Sequence, residues 1–263
     1  MENELKSSNL PEEIEYEKKL SELDALEDQL AQLELKFQNI SYELKEFELK
    51  YLQTVGVRFA RLDEIKSKII EVLSQLNPED LNLKEEVDKV RTTAQESAQA
   101  VGEAQEEIKS HQPITHNDSI KSLYRELAKK FHPDLAIDDE EREKRTRYMI
   151  EINEAYQNGD ENRLKRILSE YEVSPDSVMG EGIGAELVRL IRKISQVQKR
   201  INEIILELEQ IKQTEIFRLR QSYIKAELAG KNILDEMVKQ IDEMIFREEK
   251  RLKSLLRELE TTN

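Results

Sequence analysis

The stretch LDALEDQLAQLELKFQNISYELKEFELKY, residues 23–51, decides the fold class. Its apolar side chains recur at alternating spacings of three and four residues, from Leu23 and Leu26 onward to Tyr51. This heptad spacing places them on one narrow stripe of an α-helix and leaves the charged residues on the remaining surface. A helix cannot bury such a stripe by itself, so it needs a partner helix. We therefore expect an all-α protein built on coiled-coil pairing.

The heptad extends from a helix start at Pro11 to Leu76 and predicts an N-terminal coiled-coil arm over residues 1–76. Its seam positions hold Tyr16, Leu23, Leu30, Phe37, Leu44 and Tyr51, alternating with Leu26, Leu33, Ile40 and Phe47. After Tyr51 the phase slips by four residues and resumes at Val55, Leu62, Ile69 and Leu76. Such a slip is a stutter, which unwinds a coiled coil locally without ending it.

A second heptad predicts a C-terminal arm over residues 185–263. Its seam holds Leu187, Ile194, Ile201 and Leu208, alternating with Leu190, Val197, Ile204 and Ile211. The seam weakens around Glu215, Arg218 and Gly230 and resumes in another phase at Val238. We expect the two arms to pair as a long antiparallel coiled-coil hairpin within one chain. Pairing between two chains of a dimer is the alternative, and the monomeric hairpin is favoured because the segment between the arms is short.

Two further segments connect these parts. Residues 77–112 predict a connecting, weakly amphipathic helix whose stripe consists of small side chains. That helix either packs against a larger neighbour or forms a polar linker, and the sequence leaves both open. Residues 173–184 contain Ser174-Pro175 and three glycines, which predicts a linker before the C-terminal arm.

The composition excludes several classes of protein. With 41 basic and 56 acidic residues the formal charge is −15, which argues against broad binding to nucleic acids or anionic membranes. The absence of cysteine excludes disulfide scaffolds, thiolate zinc sites and cysteine nucleophiles. No window approaches the apolar length of a membrane span, and no secretory signal is recognisable. We expect a soluble, cytoplasmic protein.

The middle of the chain, residues 113–172, departs from the heptads. Asp118 is a candidate cap for a helix with a buried stripe and with Lys121, Arg125 and Lys129 on one cationic face. His132-Pro133-Asp134 follows, and the proline predicts that the helix ends at or just before His132. The tripeptide is therefore expected to form an exposed corner. A second helix should end at Gly159, and Asp160 should cap a short third helix.

This central segment resembles a J-domain, the module shared by DnaJ-class co-chaperones. The resemblance rests on the run IKSLYRELAKKF, residues 120–131, followed directly by His132-Pro133-Asp134, and on the later run EINEAY, residues 151–156. A bare tripeptide would be weak evidence, but its position between two matching helices makes the motif specific. The resemblance covers about residues 115–171 and says nothing direct about either arm.

The resemblance implies an antiparallel helical hairpin that docks on a DnaK-class chaperone and stimulates its ATP hydrolysis. His132, Pro133 and Asp134 would be the chaperone-binding trigger. The docking face would consist of Lys121, Tyr124, Arg125, Lys129 and Lys130. The coiled-coil arms would recruit or position a client protein that the sequence does not identify. ATP would be hydrolysed by the partner, so we expect this chain to be no enzyme and to hold no cofactor.

The segment departs from the family pattern in three places. The family's short first helix is not recognisable before Asp118. Leu135-Ala136 follows the tripeptide where many members have a basic and then a polar residue, and Glu126 reverses a charge that is often basic. Each departure could weaken binding to the chaperone, and none removes the trigger.

The sequence also allows other interpretations. The alternative function is a structural or scaffolding coiled-coil protein whose J-like hairpin serves only for packing or interaction. His111 and His116 could suggest a metal site, but no third ligand is placed, which favours ordinary loop histidines. An enzyme is disfavoured because the sequence has no Gly-rich phosphate loop and places no Ser/His/Asp set together.

Overall fold

The computed structural model describes residues 11–110, 116–136, 138–172 and 183–262. Every regular element in these ranges is helical and none of their residues forms a strand, which confirms the all-α prediction. No helix within these ranges is long and apolar enough to cross a membrane.

The N-terminal heptads form two α-helices joined by a π-helical turn. Helix α1 covers Pro11–Tyr51, the π-helical turn covers Leu52–Gly56, and α2 covers Val57–Leu76. The turn coincides with the phase slip in the sequence, because a wider turn re-aims the following stripe without breaking the helix. Gly56 fits this turn closely, since a Cβ atom there would lie 3.0 Å from Leu52 Cδ2.

The remaining helices follow at the breaks that the polar and glycine residues mark. They are α3 (Leu81–Ser110), α4 (Asp118–Phe131), α5 (Asp139–Gln157), α6 (Glu161–Glu172), α7 (Ile183–Gln213), α8 (Glu215–Leu228) and α9 (Ile233–Thr262). The predicted C-terminal arm is therefore divided twice, at the two places where its seam weakens. Thr214 Oγ1 caps α8 by accepting the Phe217 N–H at 3.3 Å, and Gly230 has a φ of +71°.

The chain forms two compact units. Unit 1 combines Met1–Tyr42 with Ile114–Gln213, and unit 2 combines Glu43–Pro113 with Thr214–Asn263. Each unit joins an N-terminal segment to segments distant in the sequence, because the apolar seams of the long helices need partners.

In unit 1 the seams of α1 and α7 pack together. The buried cluster contains Leu23, Leu30, Leu135, Leu190, Ile194, Val197, Ile201, Ile204 and Leu208. Leu23 and Leu190 line the same cleft, and eleven and ten residues further along, Glu34 and Arg200 lie 3.2 Å apart. The two helices therefore run in the same direction, so the predicted antiparallel pairing is wrong for this pair.

In unit 2, α2 and α9 also run in the same direction. Arg58 lies 3.3 Å from Asp242, and Arg61 lies 3.2 Å from Glu249, so residue numbers rise together along the two helices. The antiparallel neighbour of α2 is α3 instead, and the carboxylate of Glu71 is 2.9 Å from Arg91. Of the two alternatives left open for residues 77–112, the structure therefore has the packed helix, because α3 contacts α2 along its length through Glu71–Arg91 and Asp63–Ser97. The chain returns along α2 through α3 and not, as the hairpin prediction had it, through the C-terminal arm.

Two neighbouring isoleucines of α7 test the α1–α7 packing. Ile204 is completely buried, whereas Ile205 is 41% exposed. We expect Ile204→Ala to lower the free energy of unfolding by about 2–5 kcal/mol, because it leaves a cavity between the seams. Ile205→Ala should lower it by less than about 1 kcal/mol. Urea unfolding followed by circular dichroism measures both, and equal losses would contradict the packing described.

Candidate functional site

Helices α4, α5 and α6 form a central module within unit 1. Asn117 caps α4, since its Oδ1 accepts the Ile120 N–H at 2.8 Å, so the cap lies one residue before the predicted Asp118. Gly159 has a φ of +64° after α5, and Asp160 caps α6 by accepting the Arg163 N–H at 2.9 Å. The left-handed backbone at Gly159 suits glycine because it lacks a Cβ atom.

The module is held by one apolar core. Its buried members are Ile120, Tyr124, Leu127, Ala128, Phe131, Met149, Ile152, Ala155, Tyr156, Leu164 and Ile167, joined by Ala31 of α1. The Tyr124 hydroxyl donates to Asn153 Oδ1 at 2.9 Å, and the rings of Phe131 and Tyr148 lie 4.7 Å apart. These contacts make α4 and α5 antiparallel, with His132-Pro133-Asp134 in the connection between them.

The tripeptide adopts a fixed turn. His132 has φ −61° and ψ 128°, outside the helical region, as expected for a residue before proline. Pro133–Leu135 then forms one 3-10 turn, in which the Asp134 N–H donates to His132 Nδ1 at 3.2 Å. Arg145 of α5 donates to the backbone carbonyl of Lys130 at 3.0 Å. The first bond fixes the turn, and the second joins α5 to the end of α4 just before the tripeptide.

His132 is buried, which corrects the prediction of an exposed corner. The residue is only 4% exposed, and its Nε2 lies 3.2 Å from Glu34 Oε1 on α1. Because Nδ1 accepts the Asp134 N–H, the neutral ring carries its proton on Nε2 and donates it to Glu34. Pro133 and Asp134 remain partly exposed. The prediction failed because the seam contacts of α1 and α7 enclose the turn, and a local motif does not reveal such contacts.

Arg200 of α7 completes the site. Its guanidinium nitrogens lie 3.2 and 3.3 Å from the same Glu34 oxygen and 2.9 Å from Glu207. Burial by itself would raise the pKa of Glu34, but the hydrogen bond from His132 and the charge of Arg200 outweigh it and lower that pKa. Glu34 is therefore a buried carboxylate shared by a histidine and an arginine from two other helices, which compensates the cost of its burial.

The predicted docking face is partly occupied by the chain itself. Lys129 lies 2.6 Å from Asp24 and 2.8 Å from Asp28, both on α1. Lys130 lies 2.9 Å from Glu126, the residue that departs from the family pattern. Two of the predicted cations are thus paired with carboxylates in this conformation.

The other docking-face residues divide into buried and accessible ones. Tyr124 is completely buried, so it is not accessible to a partner in this conformation, and its hydroxyl donates to Asn153 within the module core. Its burial, with a smaller effect from the Glu34 charge, raises its pKa well above the ordinary value. Arg125 is exposed and Lys121 half-buried, so these two remain the accessible part of the face.

The two residues that follow the tripeptide, Leu135 and Ala136, depart from the family pattern and also have a structural role. Leu135 belongs to the buried cluster that α1 and α7 form, and Ala136 lines a cleft with Leu23 and Leu190. Both residues are buried. An apolar pair follows the tripeptide because this segment packs into the α1–α7 seam, where a basic side chain would have to be desolvated.

Of the two histidines considered for a metal site, the structure describes His116. His116 Nε2 lies 2.6 Å from the Tyr156 carbonyl oxygen, and its ring stacks on the Tyr156 ring at 4.3 Å. Burial raises the pKa of Tyr156 to about 12, and its hydroxyl donates to Asn39 Oδ1 at 2.7 Å. His111 lies outside the described residues. Within the described ranges no three His, Asp or Glu residues are placed to hold a metal ion.

Sequence reasoning missed Glu34 and Arg200. Both are charged residues that flank a seam position, Glu34 after Leu33 and Arg200 before Ile201. Charges beside a seam commonly form ion pairs between helices, and this was the available signal. This signal could not have identified which residues pair with each other, because that depends on whether the two helices run in the same or in opposite directions.

The protonation of Glu34 should show in the pH dependence of stability. A carboxylate with a lowered pKa stabilises the fold above its ordinary pKa, and this stabilisation is lost as the pH falls through the lowered value. We expect Glu34→Gln to reduce the free energy of unfolding by about 2 kcal/mol at pH 7. The difference from wild type should shrink as the pH falls below 4.5, the ordinary value for a glutamate.

Urea unfolding at a series of pH values measures this difference. Glu17→Gln is the matched control, since it removes an exposed carboxylate from the same helix and should change the free energy of unfolding little at any pH. A Glu34→Gln difference that stays constant down to strongly acidic pH would contradict the role of the ionised carboxylate.

The comparisons with known proteins yield no relative. No protein-family model, curated protein or solved structure matches the chain. Any function proposed for this chain therefore has to be argued from the tripeptide, the helices on either side of it and the contacts of Glu34.

Proposed function

We propose that this protein is a J-domain co-chaperone that docks on a DnaK-class chaperone and stimulates its ATP hydrolysis. The observation that carries the proposal is the central module itself. Two antiparallel helices share an apolar core, and His132-Pro133-Asp134 occupies their connection in a fixed turn. The arrangement supports a trigger function because the tripeptide has one defined conformation. The Asp134 N–H donates to His132 Nδ1 within the turn, and Arg145 donates to the backbone carbonyls of Lys130 and His132.

Charge supports the same proposal. The chain is acidic overall, with a formal charge of −15, yet the accessible side of α4 presents Lys121 and Arg125. A small basic face on an acidic protein directs association toward an acidic partner surface and disfavours other orientations. In this proposal the chaperone supplies that acidic surface, and the helical arms position the client.

One observation favours a second candidate function, a scaffolding protein in which the module serves only for packing. His132 donates to Glu34, and Leu135 packs between α1 and α7, so the tripeptide contributes to the interior of unit 1. A purely structural tripeptide would show these contacts. The two functions differ in what a purified DnaK-class chaperone does when this protein is added.

Steady-state ATP hydrolysis by such a chaperone separates the two functions. We expect the wild-type protein to raise the rate of phosphate release and His132→Gln to abolish the increase. His116→Gln is the matched control, because it changes a histidine of the same unit outside the tripeptide and should stimulate as the wild type does. Circular dichroism checks that each variant is folded. Equal stimulation by wild type and His132→Gln would reject the trigger role.

The basic face is tested by charge reversal. We expect Lys121→Glu combined with Arg125→Glu to raise the concentration needed for half-maximal stimulation about tenfold, with a larger effect at low salt because screening weakens the attraction. The control combines Lys18→Glu with Lys199→Glu, two exposed lysines outside the module that give the same change in net charge. A salt-independent effect, or an equal effect of the control, would contradict electrostatic docking through α4.

A further inference from the structure

We propose that α1 and α7 form an autoinhibitory cover over the tripeptide, and that a DnaK-class chaperone reaches His132 only when this cover opens. The cover consists of the α1 and α7 side chains that contact residues 129–136. Its latch is the triad of His132, Glu34 and Arg200. This inference rests on the proposed function and adds a closed state to it.

The first support is the geometry of the latch. Both ring nitrogens of His132 are engaged, Nδ1 by the Asp134 N–H and Nε2 by Glu34. Arg200 binds the same Glu34 oxygen from the opposite helix. The three side chains thus connect α4, α1 and α7 at the one residue that the trigger needs. A partner cannot contact the imidazole while this triad is intact.

The second support is apolar and comes from the residues after the tripeptide. Leu135 and Ala136 are buried against α1 and α7, at positions where the resembling family commonly carries a basic and a polar residue. Burial of apolar surface is favourable, so this pair stabilises the closed position of the cover. The departure from the family pattern and the closed conformation therefore have one explanation.

The third support is electrostatic. Asp24 and Asp28 of α1 contact Lys129 at 2.6 and 2.8 Å, which places an acidic surface of the chain against the basic face of α4. An acidic partner would contact the same face. The cover therefore competes with the chaperone for a cation as well as for the histidine.

The closed state lowers the apparent affinity of this protein for the chaperone. When only a fraction of molecules is open, the apparent dissociation constant is the intrinsic constant divided by that fraction. A substitution that breaks the latch should lower the concentration for half-maximal stimulation by the same factor by which it raises the open fraction. Replacing Arg200 by a glutamate puts like charges against Glu34 and Glu207, and so opposes closure.

The test compares Arg200→Glu with Lys199→Glu. These adjacent cations of α7 undergo the same charge change, but Lys199 is exposed and lies outside the latch. Exposure of His132 is measured as the rate of its modification by diethyl pyrocarbonate, with the modified peptide identified by mass spectrometry. Stimulation of a purified DnaK-class chaperone is measured on the same samples. We expect Arg200→Glu to raise the modification rate and to lower the half-maximal concentration, each about tenfold, with Lys199→Glu unchanged.

A locked form provides a measurement that does not depend on the stability of that variant. The chain has no cysteine, so Glu27→Cys with Lys193→Cys introduces a unique pair on α1 and α7, at residues that line one cleft. A short bismaleimide joins the two helices. We expect the joined protein to lose stimulation and His132 modification, while the untreated double variant and the treated single variant Glu27→Cys keep both.

The two readouts separate failure of the cover from failure of the proposed function. Wild-type rates of His132 modification in both Arg200→Glu and the joined protein would overturn the cover, even if all forms stimulate the chaperone. A rise in modification with no stimulation by any form would leave the cover standing and reject the co-chaperone function. Unimpaired stimulation by the joined protein would likewise overturn the cover.

Discussion

The apolar seam of α1 is the constraint on which both units depend. A single helix cannot cover a stripe of Leu, Ile and Phe side chains, so other helices must pack on it. In unit 1 the partner is α7, whose seam from Leu190 to Leu208 joins that of α1. In unit 2, Phe47 near the end of α1 packs with Tyr223 of α8 and Leu234 of α9. The π-helical turn after Tyr51 lets the apolar stripe continue into α2 after its change of phase.

The helices that cover this seam also determine the surroundings of the tripeptide. Glu34 lies beside the α1 seam and Arg200 lies beside the α7 seam. His132 contacts the Glu34 carboxylate at the point where that carboxylate meets the Arg200 guanidinium. A buried ion pair contributes little net stability compared with apolar packing, but removing one member leaves the other charge unpaired in the interior. Such an arrangement is specific and can be broken by changing one residue, as the proposed opening of the cover requires.

Much of the central module could be predicted from local sequence. The stripe of α4, the turn at Pro133, the glycine after α5 and the cap at Asp160 all act within a few residues, so their effects can be read without the fold. Burial could not be read in the same way. Tyr124 and His132 carry polar groups, and both match positions expected to face a partner. Tyr124 is instead enclosed between α4 and α5, and His132 is enclosed by α1 and α7.

By itself the sequence determined that the chain is helical, where its main breaks fall and where its unusual tripeptide lies, because periodicity, caps and proline act locally. Only the tertiary structure decided that α1 and α7, and α2 and α9, run in the same direction. A heptad stripe has the same spacing whichever way its partner runs, so it carries no information on direction. The tertiary structure likewise decided that His132 is buried, since its partners Glu34 and Arg200 come from helices far away in the sequence.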